Sequence, residues 1–388
     1  MAKRVFLVVL DSLGIGALPD AAKYGDEGAN TLRSAAQSKF FAAPNLAKMG
    51  LFNIEGVFCR EKTAKPTAAF ARLCEMSEGK DTVTGHWEIA GVVSDEALNT
   101  FPNGFPKEIV SELEKAAGRK FLCNLPYSGT EVIKDFGQEH LKTGSPILYT
   151  SADSVMQIAA HESVVPLDEL YGICEKAREL MRGEFAIGRI IARPFDKDYP
   201  NFVRTANRRD FALDPPEITL LDVLKRKRFD VVGVGKISEV FNGKGITQSV
   251  KAKSNGEAVA ALKLMLAENF EGLCFANLVD FDSLYGHRRD VDGYAKAITE
   301  FDKSLDEILP MLKDEDLLII TADHGCDPLA KGTDHTREYV PMLIYGDNVI
   351  PVDLGTLDSF ADLAATVAEY FETDLRTEGV SFLDDVLD

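Results

Sequence analysis

The chain has 388 residues, 45% apolar and 27% charged. That balance is ordinary for a globular protein and excludes a disordered, collagen-like or disulfide-scaffold chain. Asp and Glu (62) outnumber Lys and Arg (43), giving a formal net charge of −19, which disfavours nucleic acid and anionic lipid as partners and suits divalent cations.

At ~150 residues per domain the length predicts two or three domains. No apolar run approaches the ~20 residues of a membrane span. The first residues lack the apolar region and cleavage site of a signal peptide and read as the start of a strand. Six cysteines are scattered without a CxxC pair, which predicts free thiols in a reducing compartment, most simply the cytoplasm.

In chain order, residues 5–10 (VFLVVL) form a continuous apolar run that ends in Asp11. Such runs mark parallel strands buried on both faces. Residues 79–88 (GKDTVTGHWE) read as a loop entering a helix, with Asp81 or Thr82 at its start. Strand and helix patterns alternate through 131–141, 147–150, 167–181 and 185–192. Turn-rich punctuation flanks this stretch, NTFPNGFP at 99–106 and DPP at 214–216. The pattern predicts a domain inserted at 98–215 into a core formed by 1–97 and 216–388. A weaker strand at 231–234 and a helix at 256–269 follow. Residues 273–279 (LCFANLV) lead into Asp280-Phe281-Asp282, a helix is expected over 294–312, and residues 317–322 (LLIITA) end in Asp323. A strand at 340–345 and a helix at 361–371 complete the core. The fold class is α/β, a mostly parallel sheet flanked by helices, with a smaller inserted α/β domain.

Three apolar runs leading to aspartates carry the chemistry. In open α/β sheets ligands bind beyond the carboxyl ends of the strands, so Asp11, Asp282 and Asp323 are expected to converge. One such Asp alone more often caps a helix or turns the chain. Of only six histidines, however, His287, His324 and His335 stand beside these loops. Three Asp and three His make two three-ligand sets with open positions. Mixed carboxylate and imidazole donors suit Mn²⁺ or Zn²⁺ better than Ca²⁺, and two metals ~4 Å apart suit phosphoryl chemistry. A hydroxyl at Thr82, among free N–H groups at a helix start, is the candidate acceptor of the phosphoryl group. His86 and His161 are read as ordering loops, and His140 as a surface histidine near a helix end.

The motifs DSLGIG (11–16), GKDTVTGHWE (79–88), DFDSLYGHRRD (280–290), TADHG (321–325) and GTDHTREYVP (332–341) resemble the bacterial phosphopentomutase family of the alkaline phosphatase superfamily. YTSADSVMQIAAHE (149–162) and GRIIARPF (188–195) extend the resemblance across the whole chain. It implies an alkaline-phosphatase-like core that interconverts ribose or deoxyribose 1-phosphate and 5-phosphate, using two Mn²⁺ ions and an activating sugar bisphosphate. It implies that Asp11, Asp323 and His324 hold one metal and Asp282, His287 and His335 the other. Thr82 would bridge them and carry phosphate, passing it through a pentose 1,5-bisphosphate. The inserted domain would be a cap, with Asp153 contacting the sugar.

Arg189, Arg193, Arg204, Arg208 and Arg209 cluster within the insertion of an otherwise acidic chain. Arginine suits bidentate phosphate binding. Arg189 and Arg204 are the favoured holders of a second phosphate, and Lys236 adds a further cation. The expected partners are small pentose phosphates, with no nucleic acid, membrane or obligatory protein partner. Rival readings are a two-metal phosphatase or phosphodiesterase of the same superfamily, a cofactor-independent phosphoglycerate mutase, whose family uses serine where Thr82 stands, and a non-catalytic sugar-phosphate-binding metalloprotein.

Overall fold

The computed structural model describes residues 2–151 and 154–387; the expected sugar contact Asp153 lies outside them. The chain divides into two compact units, Met1–Ala97 with Pro215–Asp388, and Leu98–Asp214. The strands in chain order are β1 (Arg4–Leu10), β2 (Ala69–Leu73), β3 (Leu122–Pro126), β4 (Ile147–Thr150), β5 (Val155–His161), β6 (Arg189–Asp196), β7 (Val203–Arg204), β8 (Arg209–Ala212), β9 (Asp230–Val234), β10 (Gln248–Val250), β11 (Gly272–Leu278), β12 (Asp316–Thr321), β13 (Val340–Tyr345) and β14 (Asp353–Leu357).

The first unit is built on an eight-stranded sheet of order β10-β9-β11-β1-β12-β13-β2-β14. It is parallel except at β13, which runs antiparallel to both neighbours. Every residue of β1, β11 and β12 is buried, which is why these strands read as unbroken apolar runs rather than alternating ones. Register then sets the site. Leu10 of β1 pairs with Leu278 of β11 and Val9 pairs with Thr321 of β12, so the chain leaves all three strands at one edge.

The opposite edge is pinned by a buried ion pair. Arg4, 1% exposed, donates to Asp316, also 1% exposed, through Nε at 2.8 Å and Nη2 at 2.5 Å. Its Nη1 donates to the carbonyls of Leu266 and Glu268. Removing one partner of such a pair leaves a buried, uncompensated charge. Asp316→Ala is therefore expected to cost ~3–5 kcal/mol, measurable as a lowered denaturation midpoint.

Helices cover the sheet where their apolar spacing predicts. Asn255–Ala267 buries Ala258, Ala261, Leu262, Met265 and Leu266, and Ser254 caps its start by accepting from the Glu257 N–H. The helix expected over 294–312 is Val291–Ile308, followed by a 3₁₀ turn at Leu309–Met311. Pro310 has no N–H to continue the α-helical ladder.

The second unit carries a six-stranded mixed sheet, β3-β4-β5-β6-β7 with β8 on β6. Helices Lys107–Ala117 and Leu167–Leu180 bury Ile109, Leu113, Leu170, Ile173 and Ala177 in one core with Met156, Ile158 and Ile190. Helix Glu131–Thr143 packs Val132 and Ile133 in another with Tyr149 and Phe195. His140 is not the surface residue its position near a helix end suggests. It is fully buried, its Nδ1 against the Ser145 carbonyl at 2.8 Å and its Nε2 accepting from the His161 N–H at 2.9 Å. The sequence hides this because the partners belong to a loop and a neighbouring strand.

Candidate metal centre

At the strand edge of the first unit, Asp11, Asp323 and His324 are all fully buried. His324 Nε2 lies 3.5 Å from Asp11 Oδ1 and 3.2 Å from Asp323 Oδ2. The Ser12 N–H donates to Asp323 Oδ1 at 3.0 Å, tying the first loop to the third. Asp282, which follows β11 on a short π-helical turn, faces two imidazoles. His335 Nε2 is 3.3 Å from its Oδ1 and His287 Nε2 is 3.3 Å from its Oδ2, and the two Nε2 atoms are 3.1 Å apart. The His324 and His335 rings stack with centroids 3.9 Å apart, so the two clusters adjoin.

What aims the imidazoles is the same device three times. Nδ1 of His287 faces the Thr333 carbonyl at 2.6 Å, that of His324 faces Gly325 at 3.0 Å, and that of His335 faces Lys80 at 2.9 Å. Each Nδ1–H is committed to backbone, so each Nε2 points inward, the usual arrangement of a metal-bound histidine. Asp11 Oδ1, Asp282 Oδ1 and Asp323 Oδ2 are buried without a hydrogen-bond donor among the described residues. Buried carboxylate oxygens need a cation or a donor, and converging lone pairs repel one another unless something positive lies between them. Divalent cations fit both groups.

The electrostatics agree. Burial, aided by Asp323, raises the Asp11 carboxyl to about 6, although Lys236 works against this. Burial also opposes ionisation of Asp282, but His335, His287 and His324 outweigh it and hold that carboxyl well below the usual range. His324 is held well above the usual imidazole value, because Asp323 and Asp11 overcome the burial that would lower it. Without metal, His324 therefore keeps a proton that coordination must displace. Metal affinity is expected to rise with pH, and calorimetry in buffers of different ionisation heats should record proton release on Mn²⁺ binding. Affinity and heat independent of pH and buffer would contradict this.

Thr82 opens the helix Thr82–Ile89, whose N-cap Asp81 accepts from the Val83 and Thr84 N–H groups at 3.0 and 3.1 Å. Its Oγ1 is 3.1 Å from His324 Nε2. The helix can approach this closely only because Gly85 has no side chain: a Cβ there would lie 2.1 Å from the Asp323 carbonyl oxygen. His86, one turn on, faces the Thr82 carbonyl through Nδ1 at 2.9 Å, and Asn277 Nδ2 reaches both His86 Nε2 at 3.1 Å and Asp11 Oδ2 at 3.0 Å. Lys236 follows β9 at the start of a short helix.

In the second unit, Arg189 begins β6 and is half-buried. Arg204 Nε and the Tyr149 hydroxyl are buried with no hydrogen-bond partner among the described residues. The two groups adjoin, since a Cβ on Gly129 would meet both Arg204 Nη2 at 1.7 Å and Tyr149 Oη at 2.7 Å. Arg193 donates to Gln157 Oε1 at 3.1 Å, and its pKa is lowered by burial and by the like charges of Arg208 and Arg204. Arg208 pairs with Asp210 at 2.6 Å and Arg209 with Glu175 at 3.8 Å, the ordinary fate of surface arginines.

Two residues of the 332–341 motif act here without having been singled out. Glu338 is fully buried and takes four hydrogen bonds, from the N–H groups of Gly16 and Thr31 and the hydroxyls of Thr31 and Thr336, at 2.7–3.1 Å. It thus joins the loops that carry Asp11 and His335. Arg337 donates to the Ser77 and Gly79 carbonyls and to Glu75, fixing the segment that leads into Thr82. Two charged residues just upstream of an apolar strand, separated from it only by Tyr339, were the available signal.

The sequence model of the Metalloenzyme superfamily matches residues 3–375. A phosphopentomutase of Lachnoclostridium phytofermentans is 54% identical over 387 residues, 99% of each chain, and one of Caldanaerobacter subterraneus subsp. tengcongensis is 53% identical over 384 residues, 99% of this chain and 98% of its own. The chain belongs to the phosphopentomutase family. The PH0037 protein of Pyrococcus horikoshii shares the fold, with a TM-score of 0.52 at 14% identity over 98% of this chain and 100% of its own. As in the superfamily, this family member uses divalent metal.

Proposed function

We propose that the protein interconverts the 1-phosphate and 5-phosphate of ribose or deoxyribose through a phosphorylated Thr82. Family membership supports the reaction. The observation that carries the mechanism is Thr82 Oγ1 at 3.1 Å from His324 Nε2, at the head of a helix capped by Asp81. In this reading Asp11, Asp323 and His324 hold one cation and Asp282, His287 and His335 the other, and Mn²⁺ suits these O and N donors. Cations held there would supply charge stabilisation for the phosphoryl group and lower the pKa of the Thr82 hydroxyl. The protein does the rest. Helix Thr82–Ile89 presents the hydroxyl at its positive end, and Asn277 and His86 keep the helix start in register with Asp11. Thr82 gives its phosphate to one hydroxyl of the sugar phosphate, forming a 1,5-bisphosphate. The bisphosphate returns its other phosphate to Thr82, and an added sugar bisphosphate restores enzyme that has lost it. The substrates are small pentose phosphates; nucleic acid, membrane and an obligatory protein partner have no role. Six free thiols support a reducing, cytoplasmic location.

Arg204, with Arg189, is assigned to the phosphate that is not reacting, with Lys236 as a further cation, and Asp153 to the sugar. The Arg204 guanidinium, next to Tyr149 and with its Nε unpartnered among the described residues, supports this for Arg204. Arg204→Ala is expected to weaken sugar-phosphate binding by ~1.5–3 kcal/mol, read as a raised KM with unchanged metal content. Unaltered kinetics would remove Arg204 from the site. The reaction itself is tested by supplying ribose 5-phosphate and Mn²⁺ and following phosphorus NMR. A 1-phosphate signal is expected, and accumulation of inorganic phosphate alone would replace the mutase with a hydrolase.

A further inference from the structure

One group beside Asp282 has no part in this phosphoryl chemistry. Cys326 is 1% exposed, and its Sγ shares a small space with donors of Asp282 and His287, the three ligand atoms all lying within 4.8 Å of one another. The fold holds the thiol there. A Cβ on Gly286 would lie 2.8 Å from Sγ, so the sulfur packs directly on the backbone next to His287. The Cys326 N–H donates to Thr31 Oγ1 at 3.1 Å, and that hydroxyl donates to the buried Glu338. Sγ makes a long contact with the Asp334 carbonyl, 3.6 Å, a weak use of a thiol, and it also interacts with the His287 imidazole. Asp282 Oδ1, in a residue 4% exposed, accepts no hydrogen bond among the described residues, and His287 Nε2 is turned inward by its Nδ1 contact with Thr333.

Mn²⁺ is a hard cation and takes the carboxylate and imidazoles while leaving sulfur aside. Zn²⁺ and Cd²⁺ favour thiolate, and tetrahedral zinc accepts a mixed S, N, O set. We propose that Asp282, His287 and Cys326 form a thiolate-containing site for a thiophilic divalent cation, Zn²⁺ or Cd²⁺, which competes with the hard cation of the phosphoryl centre. The inference rests on Asp282 and His287 being metal ligands. On binding, the Sγ–H bond breaks, an Sγ–metal bond forms with the same electron pair, and the proton passes to solvent. His335, whose Nε2 is 3.1 Å from that of His287, supplies a fourth ligand. Four protein ligands close a tetrahedral zinc site, and a closed site keeps no position for a substrate oxygen. The zinc or cadmium form is therefore inactive, and the thiol makes this centre sensitive to thiophilic metals.

Zinc-edge X-ray absorption on the full-length wild-type protein tests this without any variant. A sulfur scatterer at about 2.3 Å is expected; a shell of nitrogen and oxygen alone overturns the proposal. Co²⁺ provides the second arm. The wild type is expected to show a near-ultraviolet sulfur-to-cobalt charge-transfer band that Cys326→Ser lacks, and the variant's preference for Zn²⁺ over Mn²⁺ is expected to fall at least tenfold. A band that survives in Cys326→Ser, or an unchanged preference, equally overturns it. Zinc bound through nitrogen and oxygen alone leaves Asp282 and His287 as ligands, whereas a protein that binds neither Zn²⁺ nor Mn²⁺ ends both readings.

Discussion

Asp323→Ala is expected to lower turnover by at least ~10³-fold, about 4 kcal/mol of transition-state stabilisation, and to remove one of two metal ions per chain. The argument starts from burial. Asp323 is fully buried and its Oδ2 accepts no hydrogen bond among the described residues, although it lies 3.2 Å from His324 Nε2 and 3.1 Å from His86 Nδ1. Alanine removes the negative charge that both imidazoles face and leaves only Asp11 and His324 as donors on that side. Two donors do not hold a divalent cation against water at ordinary concentrations. The second cluster of Asp282, His287 and His335 keeps its own contacts, so its metal is expected to remain. Elemental analysis should fall from two metals to one while circular dichroism is unchanged, because the strand core beneath the loop is intact. Asp323→Asn separates charge from shape, since the amide oxygen still accepts from the Ser12 N–H. Full metal content with full turnover in either variant would rule out Asp323 as a ligand.

The parts of this site legible in the sequence are those whose signal is local. β1, β11 and β12 are buried on both faces, so burial wrote itself as continuous apolar runs, and each run leads into an aspartate. Parallel register then brings those aspartates to one edge. Histidine is scarce in this chain, so its recurrence beside three such loops stood out. A helix start at Asp81 or Thr82 was visible because capping reaches only two or three residues ahead, and the structure makes Asp81 the cap.

What escaped are residues whose partners lie far away. Glu338 serves Gly16 and Thr31, more than 300 residues earlier, and Arg337 holds a segment 258–262 residues away. Asn277 stands inside the apolar run of β11, where pattern reading passes over it, yet its amide joins Asp11 to His86. Short strands such as β2 and β10 gave no run long enough to recognise. The arginines of the insertion show the same limit from the other side. Composition alone could not divide Arg208 and Arg209, paired with nearby carboxylates, from Arg204, whose Nε remains unpartnered among the described residues.

Thr82→Val is expected to abolish phosphoryl transfer, by ~10⁶-fold on the scale seen when a hydroxyl nucleophile is removed. Valine keeps the branched shape and deletes the hydroxyl that lies 3.1 Å from His324 Nε2. Everything that positions it survives. The Thr82 carbonyl still faces His86 Nδ1, Asp81 still caps the helix through Val83 and Thr84, and Gly85 still seats the helix against the Asp323 backbone. Metal content is therefore expected to match the wild type, which distinguishes loss of the nucleophile from loss of the centre. Intact mass should show one added phosphate on wild-type protein treated with a sugar bisphosphate and none on the variant. Label placed in the enzyme's phosphate should appear in the sugar product, because the donor is Thr82 and not the substrate's own phosphate. The same experiment separates transfer from hydrolysis. Both begin with phosphate on a hydroxyl, and they differ in whether a sugar oxygen or water accepts it; holding the distal phosphate in a fixed orientation favours the sugar. Thr82→Val that still equilibrates ribose 1-phosphate and 5-phosphate at a rate near that of the wild type would show that the phosphate never resides on Thr82, and the nucleophile would then have to be sought elsewhere on the chain.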